Sequence, residues 1–129
     1  MTDSARKVTI HTSRDGDDPV PLASGDSFQI IEMSGSGPGY LHRHLDDDVA
    51  FHLISGRLRF RLADGNVDVP PASTVFIPAG AAYDFDEIMP SRYLMIGTPR
   101  LRKLAEALRG AARDRHPDIL REYESEIVV

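Results

Sequence analysis

The sequence predicts an all-β fold, an antiparallel barrel or sandwich followed by one or two C-terminal α-helices, and three observations carry that prediction. Between Phe28 and Ile96 the chain breaks into short apolar runs rich in β-branched residues, cut at close intervals by Gly, Pro, Asp and Ser. Leu58, Phe60 and Leu62 alternate with Arg57, Arg59 and Arg61, the period expected of a strand with one face in a core. At Thr98-Pro99 the pattern turns helical, because a threonine cap followed by proline in the first turn is a favourable helix start. The 129 residues, 41% of them hydrophobic, are the size of a single domain. We divide it into an N-terminal arm over 1–21, a barrel over 22–98 and a helical extension over 99–129.

In order along the chain, Lys7 to Thr12 reads as a strand within the arm, followed by the polar turn Arg14-Asp15-Gly16-Asp17-Asp18-Pro19. Phe28 to Met33 is a strand that ends in Ser34-Gly35-Ser36-Gly37-Pro38-Gly39, a loop that delivers the chain into His42-Arg43-His44. Val49 to Ile54 and Leu58 to Leu62 read as a hairpin joined by a tight turn at Ser55-Gly56. Asp64-Gly65-Asn66 turns the chain again. Val67 to Val69, Thr74 to Ile77, Ala82 to Phe85 and Arg92 to Ile96 follow as short strands, separated by Pro70-Pro71, Pro78-Ala79-Gly80 and Met89-Pro90-Ser91. In the tail, Leu101, Leu104, Ala105, Leu108, Ala111 and Ala112 form one helical stripe, which leaves Arg100, Arg102, Lys103, Arg109 and Arg113 in solvent. A second helix is expected from Pro117, burying Ile119, Leu120 and Tyr123, and Ile127 to Val129 is expected as an edge strand.

Composition excludes several functions. A net charge of -5 with 27% charged residues leaves no basic surplus for nucleic acid. No apolar run approaches the ~20 residues that cross a bilayer, and Met1-Thr2-Asp3-Ser4 lacks the apolar stretch of a signal peptide, so a cytoplasmic protein is expected. With no cysteine, disulfides and thiol chemistry are excluded, and any metal must be held by nitrogen and oxygen.

The chemistry concentrates at His42 and His44. Two histidines one residue apart on a strand project from the same face and can converge on one ion or one substrate group.

Around them the stretches GPGYLHRHLDDDVAFHLISG and ASTVFIPAGAAYDF resemble the two motifs of the cupin family, Gly then His-x-His then an acidic residue then Gly, and Pro-x-Gly-x-x-His. His42 and His44 match the motif histidines, Gly56 the closing glycine, and Pro78 and Gly80 the second-motif turn; Phe85 also has its counterpart. The resemblance implies a cupin-type antiparallel jelly-roll β-barrel, a transition metal (Fe, Zn, Mn, Ni or Cu), homodimerisation, and a small-molecule substrate of aromatic or polyketide-like type for an oxygenase, isomerase or cyclase. Departures are equally plain. Val49 stands where the family has a glutamate ligand, Tyr83 where it has the last histidine, and Glu87 where it has a later asparagine. The implied metal set is therefore His42, His44, Tyr83 and Asp48, the last one residue from the glutamate position and, by strand alternation, on the opposite face unless a bulge intervenes. Tyr83 and His44 are the candidate catalytic residues, and Phe51, Leu53 and Phe85 the candidate pocket wall. A degenerate metal site in a non-catalytic small-molecule-binding or sensor protein is the alternative, and a metal-free acid/base enzyme lies between the two. Asp46-Asp47-Asp48 also reads as a solvated loop at the barrel mouth, and His52 falls on the face opposite Phe51.

Overall fold

The computed structural model describes residues 7–13, 16 and 18–129; part of the expected arm and turn, residues 1–6, 14, 15 and 17, lies outside them. Among the described residues there are eight strands: β1 (Val20–Ser24), β2 (Gln29–Met33), β3 (His42–His44), β4 (Val49–Leu62), β5 (Gly65–Val69), β6 (Thr74–Ile77), β7 (Tyr83–Gly97) and β8 (Ser125–Ile127). Two helices, α1 (Pro99–Arg109) and α2 (His116–Glu122), separate β7 from β8. The strand pairings are antiparallel, and the architecture is a jelly-roll barrel with C-terminal helices.

Two long strands organise it. β4 and β7 pair along almost their whole length, from Ala50 opposite Ile96 to Leu62 opposite Tyr83. The first half of β4 continues outward to β6 and the end of β7 to β2 and β1, while the second half of β4 continues to β5 and the start of β7 to β3 and β8. Each long strand thus serves both walls and must bend between them. The tight turn expected at Ser55-Gly56 and the break expected at Met89-Pro90-Ser91 are instead bulged bends inside continuous strands, where the register shifts between Leu53 and Leu58. Gly56 has φ +90°, and a Cβ there would collide with Pro90 and Ser91, so the crossing tolerates no side chain. Ser91 occupies the space: its Oγ accepts from the Arg57 N–H at 2.9 Å and donates to Met89 O at 2.6 Å.

Lys7 to Thr12 forms no strand, contrary to expectation; Val8 and Ile10 are 95% and 89% exposed. β propensity needs a partner edge, and the edge of β2 is taken by β1, whose Pro21 is tolerated because the strand is outermost and bulged. The core is an inward row from each wall, Val49, Phe51, Leu53, Leu58 and Phe60 of β4 against Tyr83, Phe85, Tyr93 and Met95 of β7. The Thr98 side chain caps α1 by accepting from the Leu101 N–H at 3.3 Å, and Leu101 and Leu104 are buried, as are Ile119 and Leu120 of α2. Tyr123 packs against the core only partly buried, Ala111 and Ala112 lie beyond the end of α1, and the last strand begins at Ser125, two residues earlier than expected.

Candidate functional site

Strand β3 is three residues long and survives because both sides are held. His42 pairs with Tyr83 of β7, and His42, Arg43 and His44 pair with Ile127, Glu126 and Ser125 of β8. The Gly80 N–H donates to His44 O at 2.7 Å, which clasps the Pro78-Ala79-Gly80 turn onto the His-x-His segment. Alternation then turns Arg43 outward and both histidines inward, each 4% exposed. Residues directly opposite in an antiparallel pair share a face, so Tyr83 joins them, with its ring centroid 4.4 Å from that of His42.

The hydrogen bonds of this cluster run in one direction, because a carbonyl oxygen can only accept. Ser125 Oγ donates to Tyr123 O at 3.2 Å and therefore accepts from His44 Nδ1–H at 2.7 Å. His44 Nε2 is left as an acceptor, filled by the Tyr83 O–H at 2.8 Å. His42 Nδ1–H donates to Tyr40 O at 3.3 Å, which leaves a lone pair on Nε2 with no partner among the described residues. Tyr40 and His116 behave the same way: His116 Nε2–H donates to Ala111 O at 3.3 Å, and its Nδ1 accepts from the Tyr40 O–H at 2.8 Å.

Burial sets the charge states. It holds the His42 imidazole down to about 4, and burial followed by the neighbouring His42 holds His44 down to about 3. Burial, reinforced by Asp84 and Tyr93, pushes the Tyr83 phenol above its ordinary value. At pH 7 all three groups are neutral.

They stand at the inner end of a cavity of about 300 Å³. Its walls include Val49, Phe51, Phe85, Tyr93 and Met95 from the barrel, and α1 closes it with Leu101, Leu104, Leu108 and Arg109. The loop over Ser34–Gly39 forms the rest of the mouth, pinned where the Gly39 N–H donates to the buried Asp84 carboxylate at 3.3 Å and where Arg113 donates to Pro38 O and Gly39 O. Arg113, exposed as expected, thus also clamps the loop, and Arg100, expected in solvent, lies 3.5 Å from Asp47 Oδ2.

Of the sequence-predicted residues, the structure gathers His42, His44, Tyr83, Phe51 and Phe85 around one cavity. Leu53 does not line it; the side chain is 1% exposed in the core next to the β4 bend. Asp48 is exposed, and its Oδ1 accepts from the Ala79 N–H at 2.8 Å, so it braces the second-motif turn from outside the histidine cluster. Ser125, His116 and Arg109 were missed, and no local pattern marks them: only long-range pairing of β8 with β3 and packing of the helices bring them here.

These placements test the metal that the resemblance implies. Both nitrogens of His44 are engaged, Tyr83 is held protonated, the carboxylate of Asp48 is turned to a backbone amide, and Val49 offers nothing. Among the described residues no group of three His, Asp or Glu side chains is arranged to hold a metal ion. The donor set does not fit a resident transition metal in this geometry.

Comparison with solved structures places the fold. The chain matches a cupin protein from Bacteroides fragilis (TM-score 0.59, 15% identity, 71% of this chain and 85% of that one). It matches a cupin-2 domain containing protein from Shewanella frigidimarina similarly (TM-score 0.57, 20% identity, 64% and 82%). A sugar phosphate isomerase of the cupin superfamily from Silicibacter pomeroyi is also similar (TM-score 0.53, 22% identity, 62% and 59%). No family model and no curated protein matches the sequence. The chain therefore has the single-domain cupin fold. No helix among the described residues is long and apolar enough to cross a membrane.

Proposed function

We propose that this cupin-fold chain binds a small apolar molecule inside its barrel, through a hydrogen bond that the molecule donates to His42 Nε2 and Tyr83 Oη, and that binding is the site's primary task. The observation that carries the reading is the free lone pair of a neutral, buried His42 at the inner end of an aromatic cavity. The residue is buried but this nitrogen is not sealed off: it faces the cavity, where a ligand O–H can reach it. Acid/base turnover at pH 7 is less well served. Imidazoles held at about 4 and about 3 are weak bases, and the Tyr83–His44–Ser125 chain ends on the Tyr123 carbonyl, which accepts no proton.

The test is a matched pair of probes. 2-Naphthol should bind roughly tenfold more tightly than 2-methoxynaphthalene, which has the same body and no donor. That preference should shrink in His42→Phe. Equal affinities for the two probes in the native chain would refute the reading. The second reading, a metal-dependent enzyme, draws on the proximity of the His42 and His44 rings, whose centroids are 5.2 Å apart. Near-stoichiometric Fe, Zn, Mn, Ni or Cu by mass spectrometry, lost in a His42→Ala/His44→Ala double variant, would put it first.

A further inference from the structure

The charge around the cavity is one-sided. No Asp or Glu lies among the described residues that line it, and Arg109 is the one Lys or Arg among them. Arg109 is exposed, in the last turn of α1, and its guanidinium has no carboxylate partner and no hydrogen bond among the described residues. The other arginines near it are committed: Arg113 to the loop carbonyls Pro38 O and Gly39 O, Arg100 to Asp46 and Asp47, Arg102 to Glu106. Against a chain of net charge -5, which repels anions as a whole, the mouth of this cavity is a local exception. The inner end, by contrast, presents acceptors only, at His42 Nε2 and Tyr83 Oη.

From this polarity we infer that the ligand is an apolar, aromatic-sized hydroxy acid: a hydroxyl donates to His42 and Tyr83 at the buried end, the body lies among Phe51, Phe85 and Met95, and a carboxylate or other monoanionic group meets Arg109 at the mouth. The inference rests on the binding reading given above and adds the anionic end to it. Guanidinium and carboxylate form charge-assisted bonds that a neutral amide does not reproduce, and partial shielding by the cavity rim strengthens them over a fully exposed pair.

The probes are 6-hydroxy-2-naphthoate and its neutral carboxamide, titrated by fluorescence at pH 7 against the full chain. The naphthoate should bind roughly tenfold more tightly. The difference should vanish in Arg109→Gln with carboxamide affinity unchanged, persist in Arg109→Lys and in Arg102→Gln, and diminish as salt is raised to ~1 M. Circular dichroism of the exposed-site variants controls for folding. Equal binding of the two probes in the native chain, or a preference that survives Arg109→Gln, overturns the anionic end while leaving the buried hydroxyl contact standing. Failure of both probes to bind, together with failure of 2-naphthol, overturns the binding reading and this inference with it.

Discussion

The neutral histidines make stability depend steeply on acidity. His42 and His44 ionise at about 4 and about 3 in the folded chain, against ~6.5 in an unfolded one. Since the folded values are depressed, the unfolded state takes up protons first as pH falls, and the stability present above ~6.5 is lost on the way down to the folded values. At pH 5 each histidine has lost about 2 kcal/mol relative to pH 7, about 4 kcal/mol for the pair, because each tenfold change in a protonation equilibrium is worth ~1.36 kcal/mol. That is a large share of the ~5–15 kcal/mol that holds a typical domain together. Asp84, whose carboxyl burial raises despite its bonds to Phe85, Gly39 and Arg61, titrates with the opposite sign and offsets part of the loss. Urea denaturation at pH 7, 6 and 5 measures the effect: the midpoint should fall strongly across this range at constant m, and by about half as much in His44→Asn, where His42 alone remains. A native midpoint unchanged between pH 7 and 5 would mean that both imidazoles are solvated or already charged, and the neutral-site argument would collapse.

Further outcomes follow from single contacts. Gly56→Ala should prevent folding or cost more than ~3 kcal/mol, since the new Cβ would lie 2.6 Å from Ser91 Cα, whereas Gly65→Ala, with φ +140° but nothing within 4 Å, should cost ~1–3 kcal/mol; thermal melts of the two separate crowding from backbone strain. Asp48→Ala removes an exposed acceptor for the Ala79 N–H, so a loss of ~1 kcal/mol with 2-naphthol affinity unchanged is expected. A tenfold or greater loss of probe binding in that variant would place Asp48 in the site after all.

The parts of the fold that were legible in the sequence are those written locally. The alternation of Leu58, Phe60 and Leu62 marks the inner face of β4, and Thr98-Pro99 marks the start of α1, because pattern and cap chemistry act within one or two turns. The two bends look like breaks in the sequence. Gly56 and Pro90 are turn formers by composition, and only their mutual approach across β4 and β7, separated by more than thirty positions in the chain, makes them a bulged crossing. The site divides the same way. Motif spacing points to His42, His44 and Tyr83, yet the same motif suggests Asp48 as a ligand, and the actual strand geometry directs it to Ala79. Arg109 and Ser125 carry no signal, since an arginine on a helix and a serine between glutamates are ordinary surface residues until packing gives them neighbours.

Ser125 has the most to say about how the fold controls the chemistry of the site. It is 1% exposed on a strand of three residues, and its Oγ, committed as donor to Tyr123 O, can offer His44 only a lone pair. That contact puts the His44 proton on Nδ1, obliges Nε2 to accept, and so draws the Tyr83 proton away from the cavity. In Ser125→Ala the acceptor is gone, and a buried Nδ1–H without a partner costs ~1–3 kcal/mol. The cheaper state has the proton on Nε2, donating to Tyr83 Oη, and the Tyr83 hydroxyl then turns its own proton into the cavity. The inner end would offer a donor as well as the His42 acceptor, and the preference for 2-naphthol over 2-methoxynaphthalene should fall toward unity while the affinity for the ether rises. Nitrogen-15 shifts of the His44 ring report the tautomer directly. An Nδ1–H ring in the variant, with the naphthol preference intact, would show that Ser125 merely fills space and that Tyr83 chooses its own orientation.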